Sequence, residues 1–95
     1  MLVRIWQYDV APIHEAEFER LYGATGAWAQ LFARAAGYLG TELFRAVERP
    51  GRYITVDRFS SAEAWHLFLH EHRTAYAGLD SRCAELTREE TDLLA

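Results

Sequence analysis

The chain has one cysteine, two prolines and one methionine among its 95 residues. Cys83 has no partner within the chain, so no disulfide framework holds this protein, and a lone thiol fits a reducing cytoplasm. No cationic neighbour marks it as a nucleophile, and packing as a small hydrophobe is its expected role. Long apolar runs are missing too. Arg4 and Asp9 interrupt the one near the start, which has neither the length of a membrane span nor the cleavage pattern of a signal peptide. Basic residues are scattered and the formal net charge is -4; with no basic stripe, nucleic acid is not an expected partner. Composition therefore points to a cytoplasmic protein without a membrane or nucleic-acid role.

Apolar and aromatic residues are plentiful instead, at 51% and 14% of the chain. Such a length makes one domain, residues 1–95, with a single modest core. Not all of this apolar surface fits inside it, and an interface with a second copy is the expected place for the excess.

The order of elements is legible from period and punctuation. Leu2 to Val10 reads as a strand with apolar residues on both parities: Leu2, Trp6, Tyr8 and Val10 on one face, Val3 and Ile5 on the other. Pro12 ends it and opens a helix through Tyr22. Gly23-Ala24-Thr25-Gly26 interrupts the helical spacing as a kink or short loop; a phosphate cradle is the weaker reading, because it follows a helix and lacks the P-loop lysine. Helical spacing resumes at Trp28 and stops at Gly37. Tyr38 to Val47 and Tyr53 to Phe59 form a hairpin around Pro50-Gly51. Ser60-Ser61-Ala62-Glu63 then caps a helix expected to run to Tyr76. Leu79, Cys83 and Leu86 predict a further helix, and Thr87 with Glu90 a capping box for a terminal turn. A hairpin between two helices, after a strand on a crossover, is the ferredoxin-like α+β arrangement. Because its first strand is apolar on both sides, a second protomer is expected to cover the sheet face that the helices leave open.

Several residues could carry chemistry. His72 falls on the apolar arc of the second long helix with Trp65, Phe68, Leu69 and Tyr76, where it serves as a general base or as a core histidine tied to a neighbour. Arg4, Gln7, Tyr8, Glu42, Asp57 and Arg58 are polar residues embedded in strands; Arg4 with Glu42 or Asp57 would make a structural ion pair. Tyr8 and Gln7 lie on opposite faces, so only one of them can enter a given pocket. His66 and His70 have a metal-compatible spacing, with Glu63 one turn earlier, but they lie on the face turned from the core and no metal site is expected.

The opening strand Val3-Arg4-Ile5-Trp6, the Gly37-Tyr38-Leu39-Gly40 lead into the second strand, Pro50-Gly51, Tyr53 to Asp57 and Phe59-Ser60-Ser61-Ala62-Glu63-Ala64 resemble the antibiotic biosynthesis monooxygenase family over roughly residues 2 to 76. The resemblance implies a dimeric α/β barrel: a ferredoxin-like protomer, a homodimer of apposed sheets, and a pocket between sheet and helices. Some relatives oxygenate polycyclic phenols or quinol-like substrates without metal or flavin, the substrate carbanion itself reacting with dioxygen; others degrade haem. His72 resembles the histidine late in the family's second helix, and Phe59 stands where the family often has tryptophan. The haem-degrading branch has an Asn in strand one and a later haem-ligating His. This chain offers Gln7, Ala77 and Gly78, which disfavours haem. The family also closes its sheet with a fourth strand, where residues 79 to 95 read locally as helix.

The expectation is a cofactor-independent monooxygenase acting on a small aromatic or quinol-type substrate, with His72 catalytic and Tyr8, Trp6 and Trp65 shaping the pocket. The alternative is a non-catalytic ligand-binding or regulatory homodimer whose pocket is filled by its own side chains.

Overall fold

The computed structural model describes residues 1–95. Strand β3 (Arg52–Phe59) shows how alternation sets the architecture: Tyr53, Thr55, Asp57 and Phe59 are buried, and the residues between them are half-exposed. Its inward set fixes the helix-facing side of an antiparallel sheet of order β2-β3-β1-β4, with β1 at Leu2–Val10, β2 at Tyr38–Arg45 and β4 at Thr87–Asp92. Pairing of Tyr8 with Tyr53, Trp6 with Thr55 and Arg4 with Asp57 puts the even residues of β1 on that side. In β2, Thr41 lies beside Asp57 and Leu43 beside Thr55.

Helices α1 (Glu15–Tyr22), α2 (Ala27–Phe32), α3 (Ala62–Glu71) and α4 (Arg73–Cys83) supply the other half of the core. Phe18, Tyr53, Phe59 and Phe68 are its fully enclosed aromatics. Tilted and edge-on ring pairs run through it, as between Phe32 and Phe68 at 5.5 Å and Tyr8 and Phe18 at 5.1 Å, the offsets that ring quadrupoles favour. Tyr53 ties this layer to α1, its hydroxyl donating to Glu19 at 2.5 Å.

Local signals explain most boundaries. Ser61 caps α3, its side chain accepting from the Ala64 amide at 3.0 Å. The cap is thus one residue later than the Ser60–Glu63 pairing predicts. Gly26 caps α2 because a Cβ there would run into the Arg20 and Leu21 carbonyls. Gly51 turns the hairpin at φ +81°, against the Val10 carbonyl.

Two expectations need correction. The predicted helix from Ala62 to Tyr76 is broken at His72, which leaves helical geometry (φ −120°, ψ 27°) and separates α3 from α4. The C-terminal segment is helical only to Cys83; a single turn at Ala84–Leu86 follows, and Thr87–Asp92 is a strand. Its sequence, Thr-Arg-Glu-Glu-Thr-Asp, has no apolar alternation to announce it. Pairing with the free edge of β1, Gln7 beside Thr91 and Tyr8 beside Glu90, satisfies backbone groups on both strands and overrides the local helical spacing.

The sheet face turned from the helices carries Val3, Ile5, Ile54 and Val56, all half-buried, and Phe44, which is 51% exposed. No element of the chain covers it. No helix is long and apolar enough to cross a membrane.

Candidate functional site

Between the inward sheet face and helices α1 to α4 lies a cavity of about 140 Å³. The sheet contributes Arg4, Trp6, Tyr8, Thr41, Thr55, Asp57 and Glu90 to its wall; the helices contribute Tyr22, Trp28, Phe32, Trp65, Tyr76 and Asp80. It is about the size of the dry cavity of ~150 Å³ that takes up benzene, so one aromatic ring fits within it.

Asp57 is the one carboxylate buried in this wall, at 8% exposure. Burial pushes its carboxyl up to about 6, against an ordinary 3.8, while a hydrogen bond from Thr41 and the Arg4 charge oppose the rise. Thr41 donates to Asp57 Oδ1 at 2.5 Å. That spends the only proton on the Thr41 hydroxyl, so the 2.6 Å contact between Tyr38 and Thr41 has Tyr38 as donor. A hydrogen-bonded line, Tyr38 to Thr41 to Asp57, therefore fixes the carboxylate. A buried carboxyl poised near neutrality is suited to accept a proton from a bound ligand.

Arg4 does not pair with Glu42 or Asp57, as its strand position suggests. It donates to Asp92 on β4 at 3.0 Å, and its guanidinium lies 4.8 Å from the Trp65 ring centre and 5.8 Å from that of Trp6. Glu42 is on the outer sheet face, ion-paired with Arg58. Glu42 and Asp57 therefore project to opposite sides and form no acid–base pair. Burial raises the Tyr8 and Tyr76 hydroxyls, so both remain protonated donors at neutral pH. Trp28 is 7% exposed; its Nε1–H is buried and its nearest acceptor is the weak one of the Cys83 sulfur, outside ordinary hydrogen-bond geometry.

Of the residues singled out from the sequence, Trp6, Tyr8 and Trp65 line the cavity together. His72 does not. Because α3 ends at Glu71, His72 is turned to the junction with α4, its ring 5.4 Å from that of Phe68, and it borders a surface depression with Arg34, His70 and Arg73. Gln7 is on the opposite sheet face from Tyr8. No three His, Cys, Asp or Glu residues are grouped to hold a metal ion. Asp57, Thr41, Trp28, Tyr76, Asp80 and Glu90 are the wall residues that local reading does not assemble. For Asp57 a signal exists: it shares parity with Tyr53, Thr55 and Phe59, so a carboxylate was due to face inward.

The antibiotic biosynthesis monooxygenase model matches residues 1–77 of this chain. The chain belongs to that family. Among solved structures, a variant of SnoaB, a cofactor-independent oxygenase from Streptomyces nogalater, is 20% identical with a TM-score of 0.75, over 98% of this chain and 90% of that one. A candidate antibiotic biosynthesis monooxygenase from Deinococcus radiodurans is 15% identical with a TM-score of 0.78, over 97% and 87%. Another from Bordetella bronchiseptica is 25% identical with a TM-score of 0.70, over 95% and 89%. No curated protein matches the chain. These likenesses extend past residue 77 and take in most of the C-terminal segment, where β4 lies.

Proposed function

We propose that this protein is a cofactor-independent monooxygenase acting on a small aromatic or quinol-type substrate in the cavity above Asp57. The observation that carries the reading is a buried carboxylate near neutral pKa set in an aromatic wall, in a member of a monooxygenase family. Asp57 takes the proton from an activated C–H of the bound substrate. The carbanion adds to dioxygen, forming a carbon–oxygen bond and a peroxide anion, which recovers the proton from Asp57. Loss of water from the hydroperoxide leaves a carbonyl, so that CH₂ and O₂ become C=O and H₂O. Trp6, Tyr8 and Trp65 hold the ring, and the Tyr8 and Tyr76 hydroxyls are placed to donate to substrate oxygens. His72 has no part in this scheme, since it borders a different surface.

The working unit in this proposal is a cytoplasmic homodimer. Val3, Ile5, Phe44, Ile54 and Val56 make an apolar face that no helix covers, and a second copy apposed on it under two-fold symmetry buries it. Oxygen uptake with a panel of anthrones and quinols, with products weighed by mass spectrometry, tests the activity. Turnover lost in Asp57→Asn and kept in His72→Ala supports the proposal. Turnover kept in Asp57→Asn refutes the base, and no uptake on any substrate favours the ligand-binding alternative.

A further inference from the structure

Strand β2 is irregular at one place. Tyr38 pairs with Phe59 and Gly40 with Arg58, so Leu39 is an extra residue without a partner on β3, a β-bulge. Gly40 carries it at φ +136°, a conformation that strains any residue with a Cβ. Residues three apart on a regular strand point to opposite faces. Here the extra residue returns Tyr38 and Thr41 to the same inward face, beside the inward Phe59 and Asp57 of β3. Their hydroxyls meet at 2.6 Å, and Thr41 donates to Asp57 Oδ1 at 2.5 Å. The protein gives Asp57 no other hydrogen bond, which leaves Oδ2 unheld.

Thr41 has one hydroxyl proton, free to serve Asp57 or to swing to another acceptor. A phenol donating to the Thr41 oxygen removes that freedom and turns the proton toward Asp57. Burial raises the Tyr38 hydroxyl above its ordinary value, with Thr41 opposing and Asp57 assisting, so it remains a protonated donor at neutral pH. The other titratable groups that line the cavity with Asp57 are Arg4 and Tyr8 on β1, Glu90 on β4, Tyr22 on α1, and Tyr76 and Asp80 on α4; α2 and α3 present only aromatic rings. We propose that Tyr38, set in place by the β2 bulge, is a positioning residue for the base: through Thr41 it fixes Oδ1 as the held oxygen and leaves Oδ2 to take the substrate's proton. Its part in turnover rests on the oxygenase proposal; the orientation of Asp57 does not.

Tyr38→Phe removes the hydroxyl and keeps the ring against Phe59 and Phe32, 5.5 and 5.9 Å away. It is compared with Thr41→Val and with the double variant. The Asp57 carboxyl carbon is titrated by NMR in the unliganded protein, and the pH dependence of kcat/KM is followed by oxygen uptake. Loss of the orienting donor weakens the bond to the ionised carboxylate, so in Tyr38→Phe the titration moves to higher pH, by less than in Thr41→Val. Once Thr41 is replaced by valine, Tyr38→Phe adds nothing, as residues acting in one line require. The kcat/KM limb moves with the titration, and kcat falls roughly tenfold, a fraction of what a placed base contributes. An Asp57 titration in Tyr38→Phe that matches the parent, or an equal shift in the Thr41→Val background, overturns the inference. A matching titration with undiminished uptake strikes Tyr38 alone and leaves the oxygenase proposal standing. A shifted titration with no uptake by any form on any substrate strikes the oxygenase proposal, and with it the part of Tyr38 in turnover, while the orientation of Asp57 survives.

Discussion

Asp57→Asn should make the protein more stable at neutral pH while removing its proposed base. The Asp57 carboxyl titrates at about 6 in the fold against an ordinary 3.8 in the unfolded chain. Its folded value is the higher of the two, so between these values the native state binds a proton that the unfolded chain has released. Stability therefore falls as pH rises from about 4 to about 6 and levels off above. Each pH unit in that window is worth about 1.4 kcal/mol, so at pH 7 the ionised side chain costs the fold about 3 kcal/mol. Asparagine has nearly the same shape, keeps an oxygen to accept from Thr41, and does not ionise. Urea unfolding of both proteins from pH 4 to pH 8 should give similar stabilities near pH 4. The variant should then gain up to about 3 kcal/mol by pH 7, a Tm rise of about 4–8 °C per kcal/mol in a domain of this length. A stability difference that does not change with pH, or an asparagine variant weaker at pH 7 than at pH 4 relative to the parent, would refute the reasoning about this carboxylate.

Phe68→Ala empties the middle of the ring cluster formed with Phe32, Phe59 and Trp65, and chemical denaturation should show a loss of about 3–5 kcal/mol. Gly51→Ala sets a side chain at φ +81° against the Val10 carbonyl; thermal unfolding should reveal a loss of at least about 1 kcal/mol, more than a surface change gives. Ile54→Glu places a charge on the outer sheet face beside Phe44 and Gln7. Sedimentation equilibrium should then find a folded monomer where the parent chain forms a dimer, and a parent chain that is already monomeric removes the case for apposed sheets.

The sequence disclosed the fold wherever period or punctuation carries information. The β-branched and aromatic runs of Leu2–Val10 and Tyr53–Phe59, the Pro50-Gly51 turn and a serine cap before Ala62 each rest on neighbouring residues, and each element is present. Strand β4 could not be read this way, because Thr87–Asp92 is polar throughout and becomes a strand only through its pairing with β1. The helix break at His72 was equally hidden. The spacing from Trp65 to Tyr76 continues one apolar arc, yet the backbone turns between α3 and α4 and carries the imidazole away from the cavity. Parity put Trp6 and Tyr8 on one strand face and spacing put Trp65 on the apolar helix face, but their grouping around one pocket was an expectation that came with the family resemblance. The partners that give the site its character were not legible, since Thr41 beside Asp57 and Asp92 beside Arg4 depend on strand register.

The pH dependence of kcat/KM for oxygen uptake tests the role of Asp57 most directly. With Asp57 as the base, activity rises through a limb near pH 6, the value its burial sets. Thr41→Val removes the hydrogen bond that holds this carboxyl down, so the limb moves to higher pH in that variant while His72→Ala leaves it in place. A limb unmoved by Thr41→Val but shifted or lost in His72→Ala would contradict the account.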